Sequence, residues 1–179
     1  MTETTPRLIE VLLEDVRWSE PGLETLAETA ARLTLRHLGF GTDGFLIGCL
    51  GCDDARIASL NADFRGRSAP TNILAWPSRE RRAEHVGGHP AAPGAGLTDD
   101  PEELGDLAIS YETCAAEAHA QGKTLSDHAT HLLVHGILHL LGYDHVDDQD
   151  ATVMEKLEID ILARAGVANP YAPQAERRL

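Results

Sequence analysis

The residues with the clearest chemical potential form one run, His135-Gly136-Ile137-Leu138-His139-Leu140-Leu141-Gly142-Tyr143-Asp144-His145. At spacing i, i+4 the Cα–Cβ directions of His135 and His139 differ by about 40° on a helix, so both imidazoles lean toward one point. Gly142 falls where that helix should end, and a glycine there can turn the chain sharply in the left-handed conformation. Such a turn brings His145 back beside the first two. Three converging neutral imidazoles leave a fourth position for water, the pattern of catalytic rather than structural zinc. A zinc ion so held lowers the pKa of its bound water toward ~7.

The neighbourhood strengthens this reading. Six of the nine histidines lie between His119 and His145. His128 and His131 continue the stripe of His135 and His139; either could be a ligand or an outer partner of one, and His128 is expected at the surface. Asp144 is expected either to orient an imidazole or to cap the turn. The spacing also matches the zinc-protease pattern H-E-x-x-H-x-x-G-x-x-H, except that the glutamate serving there as general base is replaced by Gly136. The geometry therefore reads as a zinc hydrolase, and the missing carboxylate argues against an ordinary peptidase.

These residues need a scaffold. With 179 residues the chain is expected to form one domain with a sizeable core. Apolar runs at Leu8–Leu13, Phe45–Leu50, Thr71–Trp76 and Leu104–Ser110 read as strands, the first of them buried. Helical periodicity follows Ser19-Glu20-Pro21 as far as Leu38 and the short segment from Asp53 to Gly66. It recurs over Tyr111–Gln121, Leu125–Leu141 and Asp150–Ala165. Residues 78–103, with Gly87-Gly88 and three prolines, read as a long surface loop. The order β-α-β-α-β-β-α-α-α implies an α/β (α+β) domain over 1–167. It comprises a small mixed four-stranded sheet, about five helices and the zinc site at a helix end. Residues 168–179 read as a frayed tail.

The histidine run resembles the signature of the YbeY family of bacterial rRNA maturation factors. Two further segments carry the resemblance: Leu60-Asn61-x-x-Phe64-Arg65-Gly66 followed by Pro70-Thr71-Asn72-Ile73-Leu74, and Gly105-Asp106-Leu107-Ala108-Ile109-Ser110. Ser68-Ala69 and Ala75-Trp76 depart from the family's usual Asp-Lys and Ser-Phe, and the 78–103 loop is longer. The resemblance implies a single-strand-specific, metal-dependent endoribonuclease, and the three converging histidines imply one Zn²⁺ per chain. It also implies action on the 3′ end of small-subunit (16S) rRNA and in ribosome quality control. In that pattern Arg65 faces the metal cleft, where a guanidinium can grip a phosphate and offset charge in the transition state.

Charge sets further expectations. The chain carries −14 overall, which excludes gripping nucleic acid by bulk charge. Between residues 61 and 82, however, Arg65, Arg67, Arg79, Arg81 and Arg82 face only Asp63 and Glu80. The four besides Arg65 are candidate RNA contacts. Acidic runs at 99–103 and 147–150 read as solvated faces or surfaces for ribosomal proteins or assembly factors. Cys49-Leu50-Gly51-Cys52 reads as two ordinary thiols near a strand end, and Cys114 as core. Three cysteines, no apolar run long enough to span a membrane and no leader-like N-terminus point to a cytoplasmic protein. Two other classes fit less of the sequence: a zinc hydrolase of another, protease-like substrate, and a ribosome-assembly binding factor whose zinc is structural.

Overall fold

The computed structural model describes residues 5–173. Four strands form one mixed sheet in the order β1-β2-β4-β3. β1 (Ile9–Leu13), β2 (Phe45–Cys52) and β4 (Glu102–Ser110) run parallel, and β3 (Ile73–Pro77) is antiparallel to β4. The helices are α1 (Leu23–His37), α2 (Asp54–Arg65), α3 (Tyr111–Ala120), α4 (Leu125–Leu140) and α5 (Asp148–Arg164). The expected single-domain α+β class and five helices are present.

Alternation along the strands assigns the two faces of the sheet. Phe45, Ile47, Cys49, Leu107 and Ile109 join the main core with α1, α4 and α5. Leu74, Ala108 and Cys52 pack on the other side against Ile57 of α2. β1 is an edge strand rather than a buried one: a single neighbour pairs with it, and Leu12 is 65% exposed. β4 sits inside the sheet and begins at Glu102, which pairs with Phe45, so the loop runs from 78 to 101. Pairing slips beside Gly105, whose φ is 139° and where a Cβ would lie 2.2 Å from the Trp76 carbonyl oxygen.

α1 also starts later than its prolyl cue suggests. Trp18 is fully buried and its indole donates to the Cys52 carbonyl at 3.2 Å. That anchor holds Val16–Ser19 in a 3-10 turn, and Gly22, at φ 72°, resets the chain before Leu23. α5 starts at Asp148, two residues before its expected start, because Asp147 rather than a later aspartate caps it, accepting from the Gln149 amide at 2.8 Å. The 78–101 loop has no helix or strand, yet it is pinned. The Gly96 amide donates to the Gly44 carbonyl at 2.9 Å, the Gly87 amide to Asp150 Oδ1 at 2.8 Å, and His89 Nδ1 lies 3.0 Å from the Tyr143 hydroxyl.

Candidate metal centre

α4 is built to point histidines one way. Thr124 caps it by accepting from the Asp127 amide, and its apolar residues Leu133, Val134, Ile137 and Leu138 are fully buried. The third face carries His128, His131, His135 and His139. At its end the Gly142 amide donates to the His139 carbonyl at 3.1 Å and the Tyr143 amide to the Leu138 carbonyl at 3.0 Å. This is a Schellman closure, with Gly142 at φ 102°. A Cβ on Gly142 would lie 2.3 Å from the Arg81 carbonyl oxygen, so the turn needs glycine for space as well as for φ.

The turn returns His145 to its partners. The His135, His139 and His145 rings lie 4.6–5.2 Å apart by centroid, and one ligating nitrogen from each falls within 4.8 Å of the others. Two of the rings are oriented from behind. His139 Nδ1 lies 2.9 Å from the Tyr143 carbonyl, which can only accept, and His135 Nδ1 meets the carboxylate of Glu158. With both Nδ1 protons committed, both Nε2 lone pairs face inward, 3.0 Å apart. Two such lone pairs repel unless a cation lies between them. Tetrahedral zinc with Zn–N near 2.05 Å places its nitrogens about 3.3 Å apart. The donor set therefore fits a divalent ion. Burial, with His135 and His145 alongside, pushes the His139 pKa down to about 4, so it presents a neutral ring at neutral pH.

Glu158 lies outside every motif of the sequence. It occupies the inward stripe of α5 with Met154, Leu157, Ile161 and Leu162, and is fully buried. Burial alone would raise its pKa, but hydrogen bonds from His131 and His135 hold it down to about 2. An acid at a core position of an amphipathic helix is the one signal that marks it in the sequence. Tyr171 also bonds this carboxylate, and its ring lies 5.8 Å from His131. Through residue 173 the chain after Ala168 is thus packed rather than frayed; 174–179 lie outside the described residues.

Beside the histidines lies a cleft of about 600 Å³, lined among others by Arg65, Asn72, Arg79, Arg82 and Gly136. Arg65 closes α2 ahead of Gly66, is exposed, and has no ion-pair partner among the described residues. Asn72 donates to Glu117 at 3.0 Å, and Glu117 also meets His128 Nε2 at 3.0 Å. His128 is accordingly buried, not superficial: α3 covers that end of α4. His131 Nε2 reaches Glu158 at 3.3 Å, next to the His135 contact. Asp144 accepts from the His145 amide at 2.7 Å and faces Arg82 at 3.7 Å; among the described residues it bonds no imidazole.

The basic run divides. Arg79 and Arg82 are exposed at the cleft, paired loosely with Glu102 at 3.1 Å and Glu80 at 3.7 Å. Arg67 is exposed but does not line the cleft. Arg81 is not available as a nucleic-acid contact: its side chain is only 8% exposed. Its guanidinium donates to the carbonyls of Leu104 and Leu140 at 3.2 and 3.1 Å. Gly136 also has a packing reason, since a Cβ there would lie 2.9 Å from both Ile73 Cδ1 and Leu107 Cδ2. The three thiols are buried, and burial first of all pushes Cys49 and Cys52 up to about 12, so they are unreactive.

Fold and site together define a single-domain α+β protein with a three-histidine centre at the mouth of an arginine-lined cleft. The family model described as Endoribonuclease YbeY matches residues 9–166. A Paracoccus denitrificans protein named Endoribonuclease YbeY is 53% identical over 94% of this chain and 92% of its own length. One of the same name from Cereibacter sphaeroides is 54% identical over 92% and 98%. A solution structure from Thermotoga maritima superposes with a TM-score of 0.51 at 19% identity, covering 92% of this chain and 99% of that one, and supports the fold alone. The chain belongs to the Endoribonuclease YbeY family. No helix among the described residues is long and apolar enough to cross a membrane.

Proposed function

We propose that this chain is a zinc-dependent, single-strand-specific endoribonuclease acting on the 3′ end of small-subunit rRNA and in ribosome quality control. The observation that carries the reading is the convergence of His135, His139 and His145 beside the exposed guanidinium of Arg65 in one cleft. The names of the relatives supply the substrate class. One zinc per chain on the three histidines supplies Lewis acidity toward a phosphate oxygen and an activated water.

The protein's own residues do the rest. Tyr143 and Glu158 hold two imidazoles in register. Arg65 grips a non-bridging phosphate oxygen and offsets the charge that grows in the transition state. Arg79 and Arg82 track the backbone of the strand. With an overall charge of −14, this local arginine cluster carries the RNA contact, and the acidic faces are left for ribosomal proteins or assembly factors. The reduced, buried thiols agree with a cytoplasmic setting.

Cleavage of single-stranded and duplex RNA, with and without chelator, tests this, using His139→Ala as the metal-site control. Single-strand cleavage that chelator abolishes, and that His139→Ala lacks together with its zinc, is expected. Full zinc occupancy in His139→Ala refutes the ligand set, and chelator-resistant cleavage refutes the metal role. Cleavage of peptides in place of RNA would favour the hydrolase alternative. A protein side chain in the fourth coordination position would favour a structural zinc.

A further inference from the structure

Glu158 is a carboxylate in a core position with no lysine or arginine paired to it among the described residues. Its neighbours on α5 are Met154, Leu157, Ile161 and Leu162, and it is 0% exposed. A buried acid persists only where donors satisfy its oxygens. Here the donors are chemically telling: Oε1 takes the Nδ1 proton of His135, while Oε2 faces His131 Nε2 at 3.3 Å and the Tyr171 hydroxyl. One of the three belongs to the centre itself. Another comes from the segment after α5, where the Asn169 side chain accepts from the Tyr171 amide at 2.8 Å.

We propose that Glu158 is the positioning residue of the metal centre, and that Tyr171 latches the segment 168–173 onto it. The carboxylate fixes His135 as the tautomer whose Nε2 is the free lone pair, and its charge makes that nitrogen a better donor to a cation. Tyr171 and His131 hold the same carboxylate against rotation, so His135 is preset before metal arrives. Glutamine at 158 has nearly the same shape but only one acceptor oxygen. It cannot accept from His135 and from the Tyr171 and His131 pair together.

This inference rests on the zinc reading above, and its test does not require RNA cleavage. Zinc affinity of the metal-free full chain is measured against a chromogenic chelator, with the cobalt(II) absorption spectrum and metal-free thermal unfolding in parallel. Glu158→Gln is expected to weaken zinc by roughly 10–100-fold, the usual effect of removing a ligand's outer partner. Tyr171→Phe keeps the ring on His131 and removes one oxygen at a half-exposed position. It is expected to weaken zinc by about 2–10-fold with unchanged unfolding, a smaller share of the same effect. Both variants should alter the cobalt spectrum. Wild-type zinc affinity in Tyr171→Phe refutes the latch whether or not Glu158→Gln folds, and wild-type affinity in a folded Glu158→Gln refutes the positioning role. A wild-type chain that binds no zinc refutes the metal reading instead. Zinc weakened in both variants of a chain that does not cut RNA leaves the inference standing and refutes the nuclease reading.

Discussion

Arg81→Ala separates two arginines that look alike in sequence. The Arg81 guanidinium lies under the loop and donates to the carbonyls of Leu140, at the end of α4, and Leu104, in β4; Ser78 Oγ accepts a third bond at 2.9 Å. Burial lowers its pKa, with Glu102 opposing, as befits a cation drawn out of water. Hydrogen bonds from a charged donor contribute roughly 1.5–3 kcal/mol each, and an orphaned buried carbonyl costs a similar amount. The Ser78 amide still serves the Leu104 carbonyl at 3.0 Å, and partial access of water to the Leu140 carbonyl brings the expected loss for Arg81→Ala to about 3 kcal/mol. For a domain of this size that is a fall in melting temperature of about 6–12 °C. Arg81→Lys should recover only part, because Nη1 makes both carbonyl bonds while Nη2 reaches Ser78 Oγ, and one ammonium nitrogen cannot stand in both places. Arg79→Ala, which breaks only an exposed pair with Glu102, should cost less than about 1 kcal/mol. Circular-dichroism melts of the three variants suffice. If Arg81→Ala melts within about 2 °C of wild type, the clamp contributes nothing of note and the reasoning from burial is wrong.

Arg65→Ala should keep its zinc and its melting temperature but cut single-stranded RNA on the order of 10²-fold more slowly, with partial rescue by Arg65→Lys; single-turnover rates decide this. Arg79→Glu with Arg82→Glu should weaken RNA binding and flatten the salt dependence by roughly 0.7 in slope for each phosphate no longer neutralised, read by fluorescence anisotropy across a salt series. The metal-free chain should lose stability on acidification. An unfolded imidazole takes up its proton near 6.5, whereas folded His139 resists until about 4, so stability is full above pH 6.5 and falls as pH drops toward 4. Denaturant midpoints in chelator at pH 7.5 and 5.5 should show this fall, and His139→Gln should lessen it.

The parts legible in the sequence are the local ones. An i, i+4 histidine pair followed by a glycine turn needs no knowledge of the rest of the chain, and the structure brings all three rings together. The alternation in β2 and the glycine stop of α2 are equally local. What stayed hidden depends on distant neighbours. Arg79, Arg81 and Arg82 are one basic run until α4 and β4 supply two carbonyls to the middle residue alone. His128 looks like a surface residue until α3 folds over it and Glu117 meets its ring. Glu158 stands on the inward stripe of α5 as an acid with no evident partner until His135 approaches from another helix. β1 reads as buried because apolar pattern does not tell an edge strand from a central one.

The compactness of the histidine run along the chain has a thermodynamic consequence. All three imidazoles fall between residues 135 and 145, so the loops that a cation must close are short, and closing a short loop costs less entropy than closing one that spans the chain. An unfolded chain therefore retains appreciable affinity for the ion. Ligand binding stabilises a native state only by the excess of its affinity over that of the unfolded ensemble. Zinc should accordingly raise the melting temperature by less than its native-state affinity implies, and metal content alone is a poor gauge of how much of a preparation is folded. The excess arises from groups that only the folded chain can bring to the rings: the Tyr143 carbonyl held by the helix-ending turn, and the carboxylate that α5 delivers from residue 158.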